Sequence, residues 1–347
     1  YYDMGDAKYT FYKYLSFLFL GALLLGSAIW ILAYFKEESI KTILKRFSVT
    51  DWFALAFLVI SYISFLFSSD KKMAFYGFNG WYMGLMSQLM FVLLYFFVTK
   101  FWKWSPATLI SAMVAAAIAY FLAVIMRFGF DPLAMYENLS EENIEKFIST
   151  LGQTTWYSSY AVLIFPLGLF WYYNDEKKLS RIFAAIFIAF GTMSLCTVNS
   201  DSAYIAFAFI MMAFLYFAMD DNNKFLRFLE MAIIMLASCR VIGILQDLFP
   251  ERMIKLITGD EKITHFVTHS TFMLIATVLV IAIYLGMRYI ISSSYDKVRK
   301  EYKFQISKYK FIRLLPIIFT VVVVAMVVLL IVLTTNKMLP SFLSGLY

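Results

Sequence analysis

Arg240 stands inside the apolar run 228–247, where a charged side chain is least expected. A guanidinium does not deprotonate and is expensive to bury, so it must face a partner or a wet cavity. Asp201, at the head of the run 202–219, is the expected partner. Paired in that way, Arg240 is a helix–helix bridge, and snorkelling outward it is an interfacial anchor. Facing a cavity it is an anion site, because arginine grips phosphate through a bidentate fork. His265 and His269 are the two histidines of the chain and stand one helical turn apart. An i, i+4 pair can hold a metal ion, though only Asp260 and Glu261 lie close by in sequence to extend the set. One imidazole can instead accept a proton near neutral pH, or both can be interfacial polar residues without chemistry. Two polar stretches lead into apolar runs, one carrying Gln153, Thr154, Thr155 and Trp156, the other Thr197, Asn199, Ser200 and Asp201. With Tyr76, Phe78, Asn79, Trp81 and Tyr82 they offer aromatic faces beside amides and hydroxyls, a surface suited to sugar rings. Aromatics also gather at membrane interfaces for anchoring alone.

No GxxxxGK, GxSxG or HExxH motif is present. Cys196 and Cys239 both lie within apolar runs and supply neither a disulfide framework nor a cysteine metal motif.

The elements that must position these residues follow from composition. Of 347 residues, 62% are hydrophobic and 15% charged, and the mean hydropathy is +0.75. A water-soluble core cannot hide that much hydrocarbon, whereas in lipid the outside of the protein is free to be apolar too. A net charge of +7 would suggest nucleic acid in a soluble protein, but here the basic residues cluster at the ends of apolar runs. That pattern argues against a nucleic-acid partner and for membrane lipids.

A spanning helix needs roughly 20 mostly apolar residues. Runs near 14–35, 52–69, 81–99, 104–126, 154–173, 182–199, 202–219, 228–247, 266–287 and 314–334 meet that length or approach it. The expected architecture is therefore all-α: a polytopic transmembrane bundle of about ten spanning helices, one domain over 1–347, with no large soluble part. The runs 182–199 and 202–219 read as a tight helical hairpin, and Pro166 should kink the fifth span. One set of alternate loops holds 19 of the 30 Lys and Arg and the other holds 10. The first set is read as cytoplasmic, which places both ends of the chain outside. The chain begins at Tyr1 and stops soon after an apolar run, and is read as a fragment truncated at both ends. Three further pieces look helical. One begins at Ser140, an N-cap followed by Glu141 and Glu142. A second opens at Pro250 with Met253, Ile254 and Ile257 on one face and stops at Gly259. The third, 295–313, interleaves basic and aromatic residues and either rests on anionic headgroups or is a solvated basic loop.

At the two polar helix heads the sequence resembles the bacterial O-antigen ligase and polymerase family. The residues that carry the resemblance are Leu151-Gly152-Gln153-Thr154-Thr155-Trp156-Tyr157 leading to Phe165-Pro166-Leu167-Gly168, then Val198-Asn199-Ser200-Asp201-Ser202-Ala203, and the loop Ala74 to Trp81 ahead of Gly84-Leu85. Asp201 stands where the family has an arginine, Gln153 and others replace its asparagines, and the chain ends where the family's large outer loop begins. The resemblance implies transfer or polymerisation of a polyprenyl-pyrophosphate-linked glycan on the outer face of a bacterial plasma membrane. The acceptor would be a glycan or a lipid, and no cofactor is needed. It assigns Arg240 and Arg252 to the pyrophosphate and His265 or His269 as the base. Asp201, Asn199, Gln153, Trp156 and Trp81 would line the glycan. Two rivals stand beside it. A transporter or flippase for a lipid-linked or polar solute would need broken helices at the midplane, and a non-catalytic membrane scaffold would need no cavity near Trp156 and Asp201.

Overall fold

The computed structural model describes residues 4–34, 47–78, 82–101, 105–137, 139–198, 201–259, 262–296, 301–309 and parts of 314–325. The regular structure of these residues is almost wholly helical, as a chain whose backbone must satisfy its own hydrogen bonds in lipid requires. Contacts divide the chain into two compact units, with the boundary in sequence after Pro106.

The first unit holds α1 (Met4–Tyr34), α2 (Val49–Phe67), the short α3 (Lys71–Tyr76) and α4 (Leu85–Phe96), the last running on into a π-helical turn at Phe97–Phe101. Ser48 and Asp51 form a reciprocal capping box that starts α2. Asp51 is fully buried and accepts from the Lys100 ammonium at 2.6 Å and the Tyr95 hydroxyl at 2.8 Å. The π turn carries Lys100, so a local change of helical pitch supplies the partner of the buried carboxylate. Gly84 is the N-cap of α4, the helix start expected at Gly84-Leu85.

The second unit holds α5 (Pro106–Arg127), α6 (Glu141–Lys146), α7 (Thr154–Asn174), α8 (Lys178–Val198), α9 (Asp201–Ala218), α10 (Asn222–Leu248), α11 (Lys262–His269) and α12 (Thr271–Ser293). Pro106 opens α5, the position where a missing N–H costs nothing. Its core is built around Tyr120, Tyr157, Phe165, Leu169 and Ile188, all buried. Gly191 of α8 admits Phe165 and Tyr120 edge-on: a β-carbon there would lie 2.6 Å from the Phe165 ring. Small residues that let bulky neighbours approach are the packing device of membrane bundles. Helix α8 packs on α7 and α10, and α10 packs on α11 and α12.

Among the described residues six helices are long and apolar enough to cross a membrane: the Tyr9–Gly26 stretch of α1, together with α2, α5, α8, α10 and α12. Their outward faces are apolar; on α12 Phe272, Ile275, Val278 and Leu285 are all more than half exposed. Such surfaces aggregate in water and are at rest in lipid. The chain is thus an all-α, multi-pass membrane protein. Length and apolarity support six crossings where ten were expected. Helix α4 and the Ala203–Ala218 part of α9 are apolar but short, α7 carries the polar head noted above, and most of 314–334 lies outside the described residues. The expected hairpin is present as α8 and α9, with residues 199–200 outside the described set. Helix α7 continues through Pro166.

The short pieces depart from expectation in instructive ways. Ser140 stands at the N-cap position of a helix, without a side-chain capping bond, but α6 lasts six residues before Phe147–Ile148 (β1) pairs antiparallel with Gly152–Gln153 (β2). The piece after Pro250 is a single 3-10 turn, not an amphipathic helix. Gln246 exchanges two hydrogen bonds with the backbone of Ile257, at 2.8 and 3.1 Å, and so holds that segment against α10. The basic stretch after α12 is a short hairpin of Tyr295–Asp296 (β3) with Glu301–Tyr302 (β4), then a 3-10 turn at Ile306–Lys308. The Asn222 amide donates to the Phe304 carbonyl at 2.8 Å and accepts from the Ile306 N–H at 2.9 Å, and Ile306 is buried. This segment is pinned to the start of α10, where a helix on headgroups or a solvated loop was expected.

Candidate functional site

At one end of the second unit the loop after α5, the connection from α10 to α11, and the end of α8 come together. The Arg127 carbonyl accepts from the Ile254 N–H at 3.0 Å. Arg127 itself is buried, and its Nε and Nη2 both donate to the Thr197 carbonyl, the first at 2.7 Å. Thr197 is the penultimate residue of α8. The last carbonyls of a helix have no partner within it and carry its negative dipole end, so a guanidinium fork there is favourable twice over.

Arg240 repeats the device on α11. Its Nη1 donates to the Thr268 carbonyl at 2.9 Å, again on the penultimate residue of a helix. Gly243, one turn further along α10, makes the approach possible, since a β-carbon there would lie 2.4 Å from that same carbonyl oxygen. Asp247 follows one turn later. The spacing 240, 243, 247 therefore puts a cation, a gap and a carboxylate on one stripe of α10, facing α11. The Asp247 carboxylate reaches to 3.6 Å from His269 Nε2.

The histidines stand on α11, which breaks from the spanning helix α12 at Ser270, the N-cap that accepts from the Phe272 N–H. They are not the first turn of a span. Their rings lie nearly parallel, with centroids 5.0 Å apart and 11° between planes. Imidazole lone pairs lie in the ring plane, so two stacked rings cannot aim both at one ion. Among the described residues no group of three metal-ligating side chains occurs.

The tautomer of His269 can be reasoned from its neighbours. The Thr268 hydroxyl lies 2.7 Å from the Thr264 carbonyl and 2.7 Å from His269 Nδ1. A hydroxyl has one proton. If Thr268 spends it on the carbonyl, Nδ1 must donate to the hydroxyl oxygen, and Nε2 carries the lone pair. Nε2 is buried and has no hydrogen-bond partner. Burial holds the His269 pKa below the ordinary histidine value. Asp247 pulls it up, while His265 and Arg240 push it down. Burial thus favours the neutral imidazole, with the Asp247 carboxylate 3.6 Å from Nε2.

No described contact links the other expected site residues to the Arg240, Asp247 and His269 side chains. Arg252 is exposed on the 3-10 turn, where its carbonyl would lie 3.3 Å from a β-carbon placed on Gly129. Gln153 and Trp156 are exposed at the head of α7. Asp201 opens α9, but its side chain lies outside the described residues, as do Asn199 and Trp81 altogether, so the expected Arg240–Asp201 pair is not among the described contacts. The acceptor the structure gives Arg240 is a backbone carbonyl. Sequence reasoning passed over Arg127, Gly243, Asp247 and Thr268. The helical spacing of Gly243 and Asp247 from Arg240 was the available signal, whereas nothing local marks Arg127 as the clamp on α8.

Comparison of the chain with known protein families, curated proteins and solved structures returned no match. The cluster is therefore read from its own chemistry.

Proposed function

We propose that the chain transfers or polymerises a polyprenyl-pyrophosphate-linked glycan on the outer face of a bacterial plasma membrane, with the α10–α11 cluster as its site. In this reading the apolar runs make ten crossings, the basic loops are cytoplasmic, and α11 lies outside. The carrying observation is His269 Nε2, buried, unpartnered and held neutral beside Arg240 and Asp247. An acceptor hydroxyl attacks the anomeric carbon of the donor and gives its proton to Nε2. The new glycosidic bond forms as the bond from that carbon to the pyrophosphate oxygen breaks. The imidazolium is then steadied by Asp247, and the leaving pyrophosphate by the donors of Arg240 not spent on Thr268 and by the exposed Arg252. Gln153 and Trp156, exposed at the head of α7, offer an amide and an indole face to sugar rings.

The test is transfer of a polyprenyl-pyrophosphate-linked glycan by the protein in membrane vesicles. His269→Gln should lower the rate by about a hundredfold to ten-thousandfold, the usual contribution of a positioned base. Arg240→Gln should abolish polymer formation while the helical content by circular dichroism stays that of the wild type. Unchanged polymer amount and length in a folded Arg240→Gln variant would remove the site assignment.

A further inference from the structure

The opposite end of the second unit holds a cavity of about 480 Å³ lined by Lys178, Arg181, Arg227, Arg288, Glu230 and Tyr284 among others. Four cations from three helices, α8, α10 and α12, face one carboxylate. That carboxylate is already engaged: Glu230 Oε2 accepts from the Tyr172 hydroxyl at 2.7 Å, and Oε1 from the Tyr284 hydroxyl at 2.8 Å. Among the described residues none of the four cations forms an ion pair. Arg227 donates to the Tyr173 carbonyl at 2.8 Å, a neutral acceptor. Arg288 reaches only the Tyr284 hydroxyl at 3.4 Å, and Arg181 Nε is buried without any acceptor.

Like charges gathered around a cavity repel one another, and a buried guanidinium nitrogen with no acceptor is costly, so folding alone does not account for the arrangement. A group with several anionic oxygens would satisfy it, and a phosphate offers enough oxygens to accept from several arginine forks at once. The cavity lies beside the first residues of α8 and α10 and the last turns of α12, where helices of this kind leave the apolar layer. We infer that this cavity binds a phosphate-bearing anion, presented either by the headgroup of an anionic phospholipid or by a free phosphate compound, with Arg181, Arg227 and Arg288 as its ligands and Lys178 at the mouth. Glu230 sets the positions of Tyr172 and Tyr284 and so closes the cavity floor. The inference is independent of the chemistry proposed at the α11 end.

The full chain in dodecyl maltoside, a detergent without phosphate, provides the test. Its thermal midpoint is followed at 222 nm while dioleoylphosphatidylglycerol or sodium phosphate is added at constant ionic strength. One of the two should raise the midpoint saturably. The double variant Lys178→Gln/Arg288→Gln, both exposed positions, should need at least about tenfold more ligand, the scale expected when charge-assisted contacts are lost. A response to the lipid alone identifies a headgroup, and a response to inorganic phosphate identifies a soluble ligand; either supports the site. Lys72→Gln/Lys146→Gln removes the same charge at exposed positions of α3 and α6, which contribute nothing to the cavity lining, and should respond as the wild type does. The inference is overturned if neither ligand shifts the wild type, or if the two double variants lose the response equally.

Discussion

Helix α10 carries a cluster of charge at each end, and the two are built in opposite ways. At the α11 end Arg240 spends a donor on the Thr268 carbonyl, and the neighbouring Arg127 closes on the Thr197 carbonyl. Both arginines finish a helix that lacks its own last partners, and the group left unengaged is a base, His269 Nε2. At the other end the carboxylate Glu230 is engaged by two tyrosines, and the groups left over are cations. At the α11 end the arginine contacts brace the ends of helices, whereas at the other end Arg181 Nε is buried without any acceptor. One helix thus serves as a brace at one end and as the wall of a receptor at the other.

This contrast can be broken by mutation, and the largest effect belongs to the brace. Arg127→Met should destabilise the protein by about 2–4 kcal/mol in reversible unfolding from mixed micelles, because two charge-assisted bonds vanish and a buried carbonyl is left alone. A loss under about 0.5 kcal/mol would mean that Arg127 is not a structural clamp. Next comes Gly243→Ala, which pushes a methyl group into the Thr268 carbonyl and should cost about 1–3 kcal/mol by overpacking. Proteolysis between α10 and α12 should rise with it, and unchanged protection would show that α11 docks without the close approach.

A smaller effect follows from titration. His269 is held below its ordinary value of 6.5 by burial, so the folded state binds fewer protons than the unfolded one near that pH. Its contribution is complete above 6.5 and is lost as pH falls through that value toward the folded pKa. Stability of the α11 end should therefore drop on acidification through that range. His269→Gln should flatten the dependence in that window, and an unaltered slope would place the titration elsewhere. The smallest effect is expected at the receptor end, where Lys178→Gln and Arg288→Gln should each stay within about 0.5 kcal/mol of the wild type without ligand, as exposed substitutions usually do. A large loss at either position would erase the distinction between frame and receptor.

Much of the helical order was legible in the sequence, because a lipid solvent imposes a length and an apolarity that composition records directly. Apolar runs at 104–126, 182–199 and 228–247 became α5, α8 and α10 within a few residues at most boundaries. Ser140 was readable as a helix start from side-chain type, whereas the run 81–99 did not locate the start of α4 at Leu85. The count of crossings was less secure, since α4 and α9 are short and α7 opens with a polar head, and a hydropathy run does not reveal where a helix begins inside it. The break at Ser270 is an example. The histidines looked like the first turn of a span, yet one hydroxyl capping the Phe272 N–H gives them a helix of their own.

The site was legible only as a set of residue types. Arg240, His265 and His269 were visible because charge and imidazole are rare in apolar sequence. Their meaning depended on long-range partners that periodicity cannot carry. Which acceptor a half-buried guanidinium takes, a carboxylate 39 positions earlier or a carbonyl 28 positions later, is decided by which helix packs against the stripe that bears it. The sequence alone determined that this protein lives in a membrane as a bundle of helices with few charges to spend. Only the tertiary structure decided where those charges are satisfied and where they are not, because satisfaction depends on distance across helices and is invisible along one.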